Sequence, residues 1–178
     1  YDGWSFYVPQ GVIVSIEEEQ PYWFGRKQDS NGARITTYLN EENIFGYPEN
    51  LIQSLPLHPY DFVVQMFKDK KWSDKNIGVE MDSYYYTAEN HKRLIDNLTS
   101  AKFVNAHLLI NWVRYIKSEK EIKYMKDAGI LVKAGMQTAF DSIKEGVKQS
   151  TVAGKIQNTL IGGNDETKMG GEYAGLGL

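Results

Sequence analysis

The sequence contains no cysteine, which excludes a disulfide framework, a zinc ribbon, a thiolate nucleophile and an iron–sulfur site from these residues. Histidine is scarce too: only His58, His91 and His107 occur. None stands in an H-x-x-x-H or H-x-x-E-H arrangement, so no metal-ligand spacing supports a site built on them. Basic excess is missing, since 20 Lys and Arg face 23 Asp and Glu for a net charge of −3. A dedicated nucleic-acid binder is therefore not expected. No run reaches the roughly 18 apolar residues of a membrane-spanning helix, and no sequence of the signal-peptide kind stands among these residues. No membrane partner is expected, and the cytoplasm is the expected location. No Ser lies in a G-x-S-x-G elbow, and the glycine-rich stretch 170–177 has neither the strand before it nor the helix after it that a phosphate loop needs.

What is present is an ordinary globular composition of 178 residues, 42% hydrophobic and 13% aromatic, enough to bury a substantial core. The β-branched run 11–16 stops at Glu17-Glu18-Glu19-Gln20-Pro21, and Tyr22-Trp23-Phe24 resumes an aromatic strand. This predicts a hairpin-like pair with an acidic turn. A short segment follows around 33–39, and Asn43-Ile44-Phe45-Gly46-Tyr47-Pro48 has the composition of a turn. Residues 33–56 are otherwise left unassigned. From His58-Pro59 the pattern is helical, with Phe62, Val63, Met66 and Phe67 on one stripe and an end near 70–72. Residues 76–82 alternate as a strand, Thr87 opens a helix carrying His91, Leu94, Ile95 and Leu98, and 102–104 is a further strand. The succession β, β, α, β, α, β predicts a mixed β-sheet with flanking helices.

After Trp112 the character changes. Ser118-Glu119-Lys120-Glu121 is a capping box. The stripe Ile122, Met125, Gly129, Val132, Met136, Ala139, Ile143 predicts a helix running to Gly146. Its small residues Ala128, Gly129, Ala134 and Gly135 suit close packing. A second helix, capped by Ser150 or Thr151, turns Val152, Ile156 and Leu160 inward and ends at Gly162-Gly163. Residues 111–155 carry nine Lys or Arg against five Asp or Glu, which reads as a solvated lysine-rich face or, less favoured, as a positively charged helix beside an acidic partner. The expected organisation is an α/β domain over residues 1–111 and the start of a different domain over 112–178.

Trp4, Phe6 and Tyr7, closely followed by Pro9 and Gln10, concentrate flat surfaces with polar tips. They suit a pocket for a compact or cationic ligand, or alternate residues of a strand packing on its core. Tyr84-Tyr85-Tyr86 carries the same two readings, with core packing favoured by its place between a strand and a helix start.

Trp112-Val113-Arg114-Tyr115-Ile116-Lys117-Ser118, then Glu121-Ile122 and Met125, resembles the R-x-I-K-S-x-x-E-I-x-x-M junction of the creatinase, prolidase and aminopeptidase P family. In that family the junction joins an amino-terminal domain to an α+β pita-bread catalytic domain. Upstream, residues 1–8, Gly25-Arg26-x-Gln28-Asp29-x-x-Gly32-Ala33, Asn43-Ile44-x-Gly46-Tyr47-Pro48, His58-Pro59 and 77–82 look like the ectoine hydrolase branch. Downstream, Gly170-Gly171-Glu172-Tyr173 is similar to that branch's G-G-D-Y, with Glu in place of Asp.

The resemblance implies a creatinase-type amino-terminal domain followed by the first two helices of a pita-bread domain. It also implies an internal fragment, lacking the family's first strand and helix and most of the catalytic domain. The opening on Tyr1 and the glycine-rich close agree with that expectation. The family's two-ion site, built from two Asp, one His and two Glu, belongs to the part beyond this chain. No catalytic residue and no metal ligand is therefore expected here, while a divalent metal in the remaining part is possible. The resemblance further implies a homodimer in which the amino-terminal domain of one subunit reaches its partner's active site. Phe6 matches the family's substrate-contacting aromatic, whereas Val8 stands where creatinase has an arginine, which argues against creatine. The substrate-proximal residues expected are Trp4, Phe6, Tyr7, Glu172 and Tyr173. The activity implied is hydrolysis of a C–N bond in a small zwitterion such as ectoine, with an Xaa-Pro peptidase and a non-catalytic scaffold as the alternatives.

Overall fold

The hairpin expected near the start of the chain forms. In a computed structural model, which describes residues 8–163, β1 (Gly11–Ile13) runs antiparallel to β2 (Tyr22–Arg26), with Gly11 opposite Phe24 and Ile13 opposite Tyr22. β1 is shorter than its β-branched run because the turn begins at Ser15, whose hydroxyl accepts from the Glu17 N–H at 3.1 Å. Val14 and Ile16 are consequently exposed.

α1 (Ser30–Thr36) leads from β2 to β3 (Ile44–Tyr47). β3 lies parallel to β2, with Trp23 opposite Ile44 and Arg26 opposite Tyr47. The segment read as a turn is therefore a strand, and this is a correction. Turn-forming Asn43, Gly46 and Pro48 bracket and interrupt it, yet the β2 backbone alongside supplies its partners. Gly46 is required there for space, since a Cβ would lie 2.9 Å from the Lys27 Cα.

α2 (Pro59–Asp69) and α3 (Ala88–Asn97) flank β4 (Asn76–Val79), and β5 (Lys102–Asn105) pairs parallel with β4. Thr87 opens α3 as expected, its hydroxyl accepting from the Asn90 N–H at 3.2 Å. The strands fall into a three-stranded sheet ordered β1-β2-β3 and a two-stranded sheet β4-β5. The main core joins them through α2: Tyr60, Val63, Val64, Met66 and Phe67 pack with Tyr22, Phe24, Ile77, Val79, Leu94 and Leu98. On the other face of β2, Trp23 packs with Ala33 and Ile44. β2 is thus covered on both faces, as strands flanked by helices on two sides are.

The chain divides into two compact units, Tyr1–Asn111 and Trp112–Leu178. A short α4 (Leu109–Val113) spans the boundary. In the second unit, the capping box at Ser118 forms, with Glu121 N–H on Ser118 Oγ at 3.3 Å and Ser118 N–H on Glu121 at 2.8 Å. It starts α5 (Glu119–Ser142). This helix ends at Ile143 rather than Gly146, and Gly146 instead takes the link with φ 78°. α6 (Gln149–Gly162) begins at Lys148 with no side-chain cap, not at Ser150 or Thr151, and ends on Gly163 at φ 71°. The seam between α5 and α6 runs through Gly135, where a Cβ would meet Leu160 Cδ2 at 2.8 Å, and through the paired Thr138 and Thr159 hydroxyls at 2.9 Å. A Cβ at Gly129 would meet nothing within 4 Å, and the stripe Ile122, Met125, Val132, Met136, Ile143 faces outward. Among the described residues, no helix is long and apolar enough to cross a membrane.

Candidate functional site

In the first unit, β1 and β4, each an outer strand of its sheet, line one cavity of about 510 Å³. Its apolar floor comes from Phe24, Val63, Phe67 and Leu94. These positions are brought together by α2, whose buried stripe must face both sheets to be covered at all.

One wall is aromatic. Tyr60 stands edge-on to Phe24 at 5.9 Å and tilted to Tyr86 at 6.0 Å. Burial pushes both hydroxyls up, Tyr86 to about 12, and Tyr60 further still with help from the neighbouring Tyr86 and Tyr47. Both are therefore neutral donors or acceptors rather than bases near neutral pH. The Tyr86 hydroxyl is paired with His91 Nδ1 at 2.9 Å. At the rim, the Lys75 ammonium holds Glu17 at 2.7 Å, linking the hairpin turn to the start of β4.

Each histidine has a local task. The Tyr60 N–H donates to His58 Nδ1 at 3.1 Å, His91 takes Tyr86, and His107 Nε2 lies 3.5 Å from Asp82. These contacts pair no serine or threonine hydroxyl with an imidazole base. The described residues also hold no group of three or more His, Cys, Asp or Glu that could bind a metal ion. They do not fit the family's two-ion site. The cavity offers two strand edges, an apolar floor and neutral phenols. It suits an apolar or flat group, and its phenols are too weakly acidic to act as general acid–base groups near neutral pH.

The substrate-proximal candidates Trp4, Phe6, Tyr7, Glu172 and Tyr173 lie outside the described residues. Close to the first three in sequence is Pro9, whose carbonyl accepts from the buried Tyr47 hydroxyl at 2.5 Å. This ties the chain just after Tyr7 to the end of β3. Of the tyrosine triplet, Tyr86 joins the cavity wall and packs on the core, while Tyr84 is 98% exposed. Sequence reading missed Tyr60 and Phe24 as wall residues. The helix start at His58-Pro59 was the available signal for Tyr60.

No family model matches the chain. It is 40% identical over 181 residues to ectoine hydrolase of Halomonas elongata, covering 99% of this chain and 45% of that protein. It is also 40% identical over 176 residues to the uncharacterized hydrolase/peptidase y4tM of Sinorhizobium fredii, covering 99% and 43%. The chain thus spans less than half the length of these relatives. Among solved structures, an Xaa-Pro dipeptidase from Bacillus anthracis superimposes with a TM-score of 0.63 at 18% identity, over 90% of this chain and 39% of that one. An X-Pro aminopeptidase from Thermotoga maritima gives 0.58 at 18% identity, over 80% and 37%. The sequence likeness covers nearly the whole chain, the junction motif at Arg114 to Met125 included, the fold likeness agrees with it, and the chain belongs to the creatinase/prolidase (pita-bread) superfamily.

Proposed function

We propose that this chain is part of a hydrolase that cleaves a non-peptide C–N bond in a small zwitterionic, ectoine-like substrate. The observation that carries this reading is the 40% identity to ectoine hydrolase across 99% of the chain. In this reading water attacks a polarised carbon, and the acid–base groups come from residues beyond this chain. The chain itself supplies association between subunits and surface near the substrate. We assign Trp4, Phe6, Tyr7, Glu172 and Tyr173 as the substrate-proximal residues, the three aromatics because their flat faces suit a compact cation. The enzyme works as a cytoplasmic homodimer.

A second reading, an Xaa-Pro peptidase, is favoured by the names of both superimposed structures. Supplying the full-length protein with ectoine and with an Xaa-Pro dipeptide separates the two. Ectoine turnover is expected, and hydrolysis of the dipeptide alone overturns the first reading. The association role has its own check. Met125, Val132, Met136 and Phe140 are exposed on α5, an apolar patch of the kind that mediates contact. The isolated chain should elute from size exclusion as an oligomer, and a strictly monomeric species counts against that role.

A further inference from the structure

The first turn of α2 is capped by an imidazole. Tyr60 N–H donates to His58 Nδ1 at 3.1 Å, and His58 N–H donates to the Asp61 carboxylate at 2.8 Å. Pro59 stands between them and has no N–H to satisfy. A ring nitrogen that accepts a hydrogen bond must keep its lone pair, so His58 is neutral with its proton on Nε2. The side-chain caps of Thr87 on α3 and Ser118 on α5 use hydroxyl oxygens that do not titrate in this range.

The groups around the imidazole come from two helices and the loop before α3. On α2 there are Asp61 and Tyr60, the latter ring 6.1 Å from that of His58. On α3, Arg93 donates to Asp61 at 3.1 Å and to Glu89 at 2.8 Å. Tyr86, bonded to His91, stands behind Tyr60. Burial and the Arg93 guanidinium lower the His58 pKa, and Glu89 and Asp61 oppose them more weakly.

We propose that His58 is an acid-releasable cap: protonation at Nδ1 turns the acceptor into a donor facing the Tyr60 N–H, which opens the first turn of α2 and loosens the Tyr60 wall of the cavity. The direction follows from proton linkage. With its folded-state pKa below the ordinary value of about 6.5, the native cap binds fewer protons than the opened turn. Its contribution is complete above that ordinary value and is lost as pH falls from there toward the folded-state pKa.

The test is amide hydrogen exchange of the full-length protein at pH 7.5 and 5.5, corrected for intrinsic rates. Protection over residues 60–63 should fall about five-fold at the lower pH, the size of one side-chain cap. Protection at the α5 start, capped by Ser118, should hold. His58→Asn keeps a capping oxygen that does not titrate and should flatten the response. Protection in the unmodified protein that does not change with pH overturns the proposal, as does a His58→Asn variant that responds like it. Should that variant fold poorly, deuterium exchange at His58 Cε1 in the unmodified protein still decides. A titration midpoint below about 6.5 supports the cap, and one at or above it overturns it.

Discussion

The two units bury their apolar residues to very different extents. Every buried apolar side chain among the described residues lies between Tyr22 and Leu98, whereas α5 buries only Gly135 and Ser142 and α6 buries nothing. In the first unit α2 is sandwiched between sheet residues and α3, so its stripe is covered on every side. In the second, two helices can hide only the seam they share, and the opposite stripe stays in solvent, with Val132 57% and Phe140 67% exposed. The lesson is geometric: a core needs elements on both sides of an apolar stripe, and a pair of helices supplies one.

The sharpest way to break that contrast is a large-to-small change in each unit. Phe67→Ala removes a buried ring that packs edge-on to Trp72 at 5.7 Å. It should cost about 3–5 kcal/mol, read by urea unfolding through the buried Trp23 and Trp72. Met136→Ala, on the exposed stripe of the second unit, should change the urea unfolding of α5 and α6, followed by helical circular dichroism, by less than about 0.5 kcal/mol. A comparable loss from both would mean that the α5 stripe is covered after all.

Glycine gives the next largest difference. At Gly25 a Cβ would sit 2.5 Å from the buried Trp23 ring, so Gly25→Ala should destabilise the first unit by about 1–3 kcal/mol. Gly129 is an open helical position, and Gly129→Ala should stabilise α5 by up to about 1 kcal/mol. Opposite shifts in the thermal midpoints of the two variants would confirm the pair, and equal shifts would contradict it.

A smaller effect is expected at the α5 cap. Ser118→Ala should cost about 1 kcal/mol of local helix stability, measured as protection of the amides in the first turn. Bonding to the Ser118 hydroxyl and amide lowers the Glu121 pKa. The carboxylate half of the box therefore contributes fully above the ordinary Glu range and is lost as pH falls through the folded-state value. Acid exchange measurements below the ordinary Glu value of 4.5 should show α5 fraying first at this end.

Much of this architecture was legible in the sequence because it is local. The Ser118 box, Thr87, Pro59 and Gly163 mark helix ends through hydrogen bonds and backbone angles set within a few residues. The exceptions share one cause. β3 reads as a turn from its own Asn, Gly and Pro residues, and becomes a strand only because the β2 backbone lies beside it. The α5 stripe has an inward-facing period, yet α6 packs on the neighbouring face through Gly135 and Thr138. The cavity was not legible at all, since Phe24, Tyr60 and Leu94 meet only through α2.

The residues by themselves determined the side-chain caps at Thr87 and Ser118, most strand positions and the family, because propensity, capping and a contiguous motif are encoded over short spans. Tertiary structure alone decided which apolar stripe is covered, that 44–47 is a strand, and that the Arg93 guanidinium stands near the His58 imidazole. These depend on neighbours distant in sequence, and the absence of cysteine and the scarcity of histidine could not reveal them. Burial and pairing are properties of two surfaces meeting, and no single segment contains both.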